Sequence, residues 1–158
     1  MSEPVYFRFE QDFVDSLRCV PMGVRLKLDL CGVKLSLRQW SRFTKTDRQD
    51  LAAAPCQTPP EIDRFRAAVI ALIHQRANQS PAFIPIEADP LWAETDGVPG
   101  GVTAQATDLG RRPPSLEQWR SLSELQRFAL VKLSRPGHEN ENFLPALGEF
   151  GLDEPVEV

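Results

Sequence analysis

Two short strings decide the reading of this chain: SLRQW at residues 36–40 and SLEQW at residues 115–119. Two of the three tryptophans, Trp40 and Trp119, thus end the same motif, and the match extends outward from it. On the N-terminal side, Val20, Pro21, Gly23, Val24 and Gly32 recur 78 positions later as Val98, Pro99, Gly101, Val102 and Gly110. On the C-terminal side, Arg48 and Leu51 recur as Arg127 and Leu130, and Phe65 and Ala68 as Phe143 and Ala146. Self-similarity at a fixed offset is the mark of a duplicated structural unit. The spacing predicts two repeat units, about 20–75 and 98–151, within a single domain of 158 residues.

Helix signals follow in the same order in both units. Residues 22–30 are ambiguous: Met22, Val24, Leu26, Leu28 and Leu30 alternate as a strand does, while Pro21 can open a helix and Gly32 can close one. The flanking proline and glycine decide for a helix opened by Pro21 at its first position. Ser36 and Ser115 are caps for the short helices carrying the tryptophans. Thr44 with Asp47, Thr58 with Glu61 and Ser123 with Gln126 have the three-residue spacing of reciprocal caps. Pro59 and Pro60 sit where a first helical turn tolerates them. The helix after them places Ile62, Phe65, Val69, Leu72 and Ile73 on one face, at the spacing of an apolar stripe. The segment from Leu125 to Leu133 is apolar on most sides and is expected in the centre of the fold. Asn142 is the expected cap of a last helix through Phe143, Leu144, Leu147 and Phe150, with Pro145 in its first turn.

The fold class is therefore mainly α. Three segments lie outside the repeated helices. Val5, Phe7 and Phe9 alternate with polar neighbours and predict a short N-terminal β-strand or an extended arm over the core. Residues 79–97, with Pro81, Pro85, Pro90 and Gly97, read as a connecting loop. Phe83, Ile84, Ile86, Leu91 and Trp92 make that loop apolar enough to pack on the domain or on a partner. Residues 153–158 read as an acidic tail that frays into solvent.

Composition excludes several classes. Net charge is −4 and the 18 basic residues are dispersed, which argues against nucleic-acid binding. No apolar run reaches the roughly 20 residues of a membrane span. Met1 to Glu10 lacks the apolar centre of a secretory signal, so the expected location is the cytoplasm. Cys19, Cys31 and Cys56 are odd in number and widely spaced, with no Cys-x-x-Cys pair, so buried thiols are expected, with neither metal nor cofactor.

No phosphate loop and no nucleophile elbow occurs, and no enzyme is expected. Of the two histidines, His74 lies late in a helix, where a cation suits the dipole. His138 lies in the densest polar cluster, with Glu139, Asn140, Glu141 and Asn142. Turn and capping chemistry accounts for that cluster more simply than a metal site does.

Four strings together resemble the nitrate reductase-associated protein family: Phe9 to Trp40, Leu51 to Ile62, Gln118 to Trp119, and Ser123 to Leu152. The resemblance implies a non-enzymatic accessory protein required for active assimilatory nitrate reductase, acting in its maturation or stabilisation by contact with the nitrate reductase polypeptide. It brings no catalytic residues. The surfaces expected to make the contact are the cluster His138, Glu139, Asn140, Glu141 and Asn142, and the loop aromatics Phe83 and Trp92. The alternative is a metal- or cofactor-handling protein using Cys19, Cys31 or Cys56 with His138. Convergence of at least three of those side chains on one point would favour it.

Overall fold

The computed structural model describes residues 4–136 and 138–156, with the side chains of His138 and Glu139 left undescribed. The chain is mainly helical. It falls into two compact units, Met1–Glu87 and Ala88–Val158, and each expected repeat lies inside one of them.

In the N-terminal unit the regular elements are α1 (Gln11–Val14), α2 (Met22–Cys31), α3 (Leu37–Arg42), α4 (Lys45–Ala53) and α5 (Pro59–Ala77). A two-residue antiparallel ribbon joins β1 (Val33–Lys34) to β2 (Ala82–Phe83), with Val33 opposite Phe83 and Lys34 opposite Ala82. The ambiguity over residues 22–30 resolves as a helix. Gly32 ends it with φ of 74°, and its N–H donates to the Leu28 carbonyl at 2.8 Å. Pro21 is the extended residue just before the helix, not its first residue, because ψ of 154° places it outside the turn.

Three helix caps depend on side chains local to each turn. Ser36 accepts from the Gln39 N–H, Thr44 from Asp47 and Thr58 from Glu61, and in each pair the second side chain returns to the cap N–H. Glu61 takes two N–H groups, from Thr58 and Gln57, which holds its carboxyl below the usual range. The α5 stripe packs as expected: Phe65, Val69 and Ile73 are buried, and Ile62 and Leu72 flank them against a core with Val24, Leu28, Trp40 and Leu51.

Of the strand or extended arm expected at the N-terminus, the strand does not form, while Tyr6 and Phe7 do pack inward. Residues 4–7 have no regular structure and are followed by a 3-10 turn (Arg8–Glu10) and α1. The reason is the buried Glu10 carboxylate. It accepts the Phe7 N–H at 3.0 Å and the Met22 N–H at 2.8 Å, which curls the segment back onto the start of α2. Phe7 and Phe9 stack at 5.2 Å, so their shared side survives in a turn.

Residues 79–97 also differ from a simple connection. Residues 82–83 enter the ribbon, and the Ile84 N–H donates to the Gly32 carbonyl at 2.9 Å. Gly32 is required twice over. Its backbone is left-handed, and a Cβ there would lie 2.8 Å from Ile86 Cγ1 and 3.0 Å from the Ile84 oxygen. Gly32→Ala is expected to destabilise the protein by about 1–3 kcal/mol, read by chemical denaturation.

The C-terminal unit contains α6 (Gly100–Asp108), α7 (Leu116–Ser121), α8 (Glu124–Leu133), a 3-10 turn (His138–Asn142) and α9 (Phe143–Glu149). Ser115 with Gln118 and Ser123 with Gln126 again form reciprocal caps. Pro99 precedes α6 as Pro21 precedes α2, and Gly110 takes φ of 70°. Phe128, Ala129, Leu130, Val131 and Leu133 are all buried, which makes α8 the centre of this unit. Asn142 stands at the cap position of α9 but makes no side-chain cap bond, because its own backbone is already helical. The described part of the acidic tail, residues 153–156, does not fray. These residues run against residues 110–112, with the Arg112 N–H on the Glu154 carbonyl at 2.8 Å and an ion pair from Arg111 to Asp153 at 2.6 Å. Glu157 lies outside the described residues.

Candidate functional site

The two loop aromatics take opposite roles. Trp92 is 7% exposed, and its ring meets Phe128 edge-on at 5.7 Å. The backbone around it is a strap held by three side-chain donors. Arg127 Nε donates to the Trp92 carbonyl at 2.8 Å, Trp119 Nε1 to Glu94 at 2.9 Å and Arg120 Nε to Thr95 at 2.8 Å. Trp92 therefore packs into its own unit, with its ring spent on Phe128. Phe83 is 53% exposed on β2 and leaves its ring open, with the Arg66 guanidinium 4.7 Å from the ring centre. Arg66 is itself fixed by donation to the Cys31 carbonyl at 2.7 Å. Sequence reasoning named both aromatics, but residue type alone could not separate them.

The polar cluster at 138–142 divides in the same way. The Asn140 amide is fully engaged: Gln105 donates to its oxygen at 2.8 Å, and its nitrogen donates to the Leu133 and Arg135 carbonyls at 3.0 and 3.2 Å. It ties α6 to the end of α8, which is a packing role that the sequence did not signal. Glu141 is exposed and Asn142 half-buried. The side chains of His138 and Glu139 lie outside the described residues.

Cys31, Cys56 and Lys27 lie close enough to influence one another's charge in the N-terminal unit. Cys31 and Cys56 belong to its core, and Cys19 is half-buried. Burial pushes the Cys31 thiol up, and Cys56 is pushed up to about 11, first by burial and then by Cys31. Lys27 Nζ donates to the Leu51 and Ala52 carbonyls at 3.1 and 2.8 Å, at the end of α4. Protonated thiols are poor nucleophiles and poor metal ligands. Among the described residues no group of three His, Cys, Asp or Glu side chains could hold a metal ion.

Two measurements follow for the thiols. Iodoacetamide on the native protein is expected to label Cys19 well ahead of Cys31 and Cys56, with all three labelled after unfolding, as read by peptide mass spectrometry. The pH sign also follows. A thiol raised in the folded state lends stability that is complete below its unfolded value near 9.0 and is lost as pH rises towards about 11. The gap in unfolding free energy between the wild type and Cys56→Ala should therefore narrow across that window.

Fold and surface define a mainly α-helical protein of capped helices that keeps Cys31, Cys56 and its second loop aromatic inside. The pattern of the conserved nitrate reductase-associated proteins matches residues 6–150, and the chain belongs to that family. No curated protein and no solved structure matches it. Among the described residues no helix is long and apolar enough to cross a membrane.

Proposed function

We propose that the chain is a non-enzymatic accessory protein of assimilatory nitrate reductase, acting in the cytoplasm by direct contact with the nitrate reductase polypeptide during its maturation or stabilisation. The observation that carries this reading is the family match over residues 6–150, whose description is association with nitrate reductase. The surface chemistry supports contact. Phe83 offers exposed aromatic area of the kind that dominates interface energies. Burial and the raised thiol pKa values weigh against the alternative use of Cys31 and Cys56 as thiolate ligands. In cells lacking this chain, nitrate reductase activity should fall several-fold while its transcript is unchanged. Activity per unit of enzyme equal to that of the parent strain would remove the reading.

The two units also read as copies of one ancestral unit. Trp40 Nε1 donates to the Leu17 carbonyl at 2.6 Å and Trp119 Nε1 to the Glu94 carbonyl at 2.9 Å, in each case to the segment ahead of the proline-opened helix. Both indoles are fully buried on a helix opened by a Ser–Gln cap. The copies have diverged at one shared place. Arg127 and Arg48 each follow their helix cap by four residues, but Arg127 holds two carbonyls and Arg48 Nε is buried with no acceptor among the described residues.

A further inference from the structure

We propose that residues 13–17 form a strap with two positions, the second of which seats the Asp15 carbonyl on the Arg48 guanidinium. The inference rests on the reading of the two units as copies and adds a moving part to one of them.

Each unit carries a strap ahead of its proline-opened helix, but the two straps are held differently. In the C-terminal unit three side chains hold residues 92–95: Arg127 on the Trp92 carbonyl, Trp119 on Glu94 and Arg120 on Thr95. In the N-terminal unit the Trp40 indole on the Leu17 carbonyl is the one side-chain donor to residues 13–17 that the described residues show. Ser41 stands where Arg120 does, and its hydroxyl turns to the Arg38 carbonyl. Arg48 stands where Arg127 does, and its Nε is buried with no acceptor among the described residues.

Two local costs therefore fall on this strap and its spare donor. Leu17 is buried and takes φ of 51°, a left-handed conformation that crowds any Cβ and that a helix end normally gives to glycine. The unpaired N–H of Arg48 is the second cost. A shift of the strap relieves both, since Leu17 leaves the left-handed region and the N–H gains a carbonyl. Against it stands the packing of the Leu17 side chain in the core, which the shift disturbs. Opposing effects of this kind leave the second position as a minor state.

The tryptophans fix which carbonyl is taken. Trp119 and Trp40 mark Glu94 and Leu17 as equivalents, so Trp92, two residues earlier, corresponds to Asp15. Asp15 is the C-cap of α1, where carbonyls run out of helical partners. The acceptor comes from the chain itself, because a ligand from outside does not reach a buried Nε while the fold stays as it is. The competing account is a single enclosed water on Arg48, which needs no movement.

The test is NMR relaxation dispersion on the full-length chain, which reads exchange in the microsecond-to-millisecond range. The two indole N–H groups are matched reporters. Trp40 and the amides of residues 13–17 are expected to exchange with a minor state of about 1–10%, while Trp119 stays still. Arg48→Met is expected to abolish that exchange at an unchanged or raised melting temperature, because it removes an unpaired donor. Arg127→Met is expected to lower the melting temperature, because it breaks two hydrogen bonds. If Arg48→Met does not fold, Arg48→Lys, which keeps the charge without the Nε, decides in its place. A Trp40 indole as still as that of Trp119, as an enclosed water leaves it, would overturn the strap. Exchange that persists in the Arg48 variant would overturn it equally. A crystal structure with Arg48 and Arg127 in unrelated places would instead remove the reading of the units as copies.

Discussion

Replacing Trp40 or Trp119 by alanine is expected to destabilise the protein by about 3–5 kcal/mol in either case. Both rings are fully buried, and each is among the largest side chains of its unit's interior. Each substitution leaves a cavity and also frees a carbonyl, the buried one of Leu17 for Trp40 and that of exposed Glu94 for Trp119. An unpaired buried carbonyl adds about 1–3 kcal/mol when water cannot reach it. Trp→Phe separates the two losses, since it restores most of the volume and none of the hydrogen bond. Urea titrations should rank wild type above Trp→Phe and Trp→Phe above Trp→Ala at both positions. A large effect at one tryptophan and a negligible one at the other would argue against equivalent roles in two copied units.

Lys27→Met is the second substitution expected to cost much, at about 1–3 kcal/mol. Methionine keeps the apolar stem but leaves the Leu51 and Ala52 carbonyls at the end of α4 without their donor. The ammonium also suits the negative end of that helix and lies 5.8 Å from the centre of the Phe65 ring. Burial lowers the Lys27 pKa, and the nearby Cys56 only partly offsets this. A lysine lowered in the folded state is held charged at a cost at neutral pH, and that cost is relieved as pH rises towards the unfolded value near 10.5. The hydrogen bonds must outweigh this cost for the prediction to hold. A Lys27→Met protein as stable as wild type at pH 7 would show that they do not.

The helix caps were legible because their chemistry is local. Ser36 finds Gln39, and Thr58 finds Glu61, within one turn and whatever the rest of the chain does. The α5 stripe was legible for the same reason, since period alone selects Phe65, Val69 and Ile73. At the N-terminus the strand alternative failed, because the alternation of Val5, Phe7 and Phe9 is also satisfied by a short unpaired segment leading into a tight turn. What decided it was Glu10 reaching twelve residues ahead to Met22. The ribbon was missed because two residues per strand leave no periodic trace. In the candidate site, Phe83 and Trp92 looked alike in sequence. Their fates were set by Arg66, 17 residues before the one, and Arg127, 35 residues after the other. Asn140 looked available in a polar run, yet its amide is spent on Gln105, Leu133 and Arg135.

Contact between this chain and nitrate reductase is what we propose. The most direct measurement is to mix the purified chain with purified nitrate reductase from the same host and weigh the complex by size-exclusion chromatography with light scattering. A co-eluting peak is expected whose mass exceeds that of the enzyme by whole copies of the 17.8 kDa chain. Separate elution of both proteins, with immature and mature enzyme alike, would contradict it.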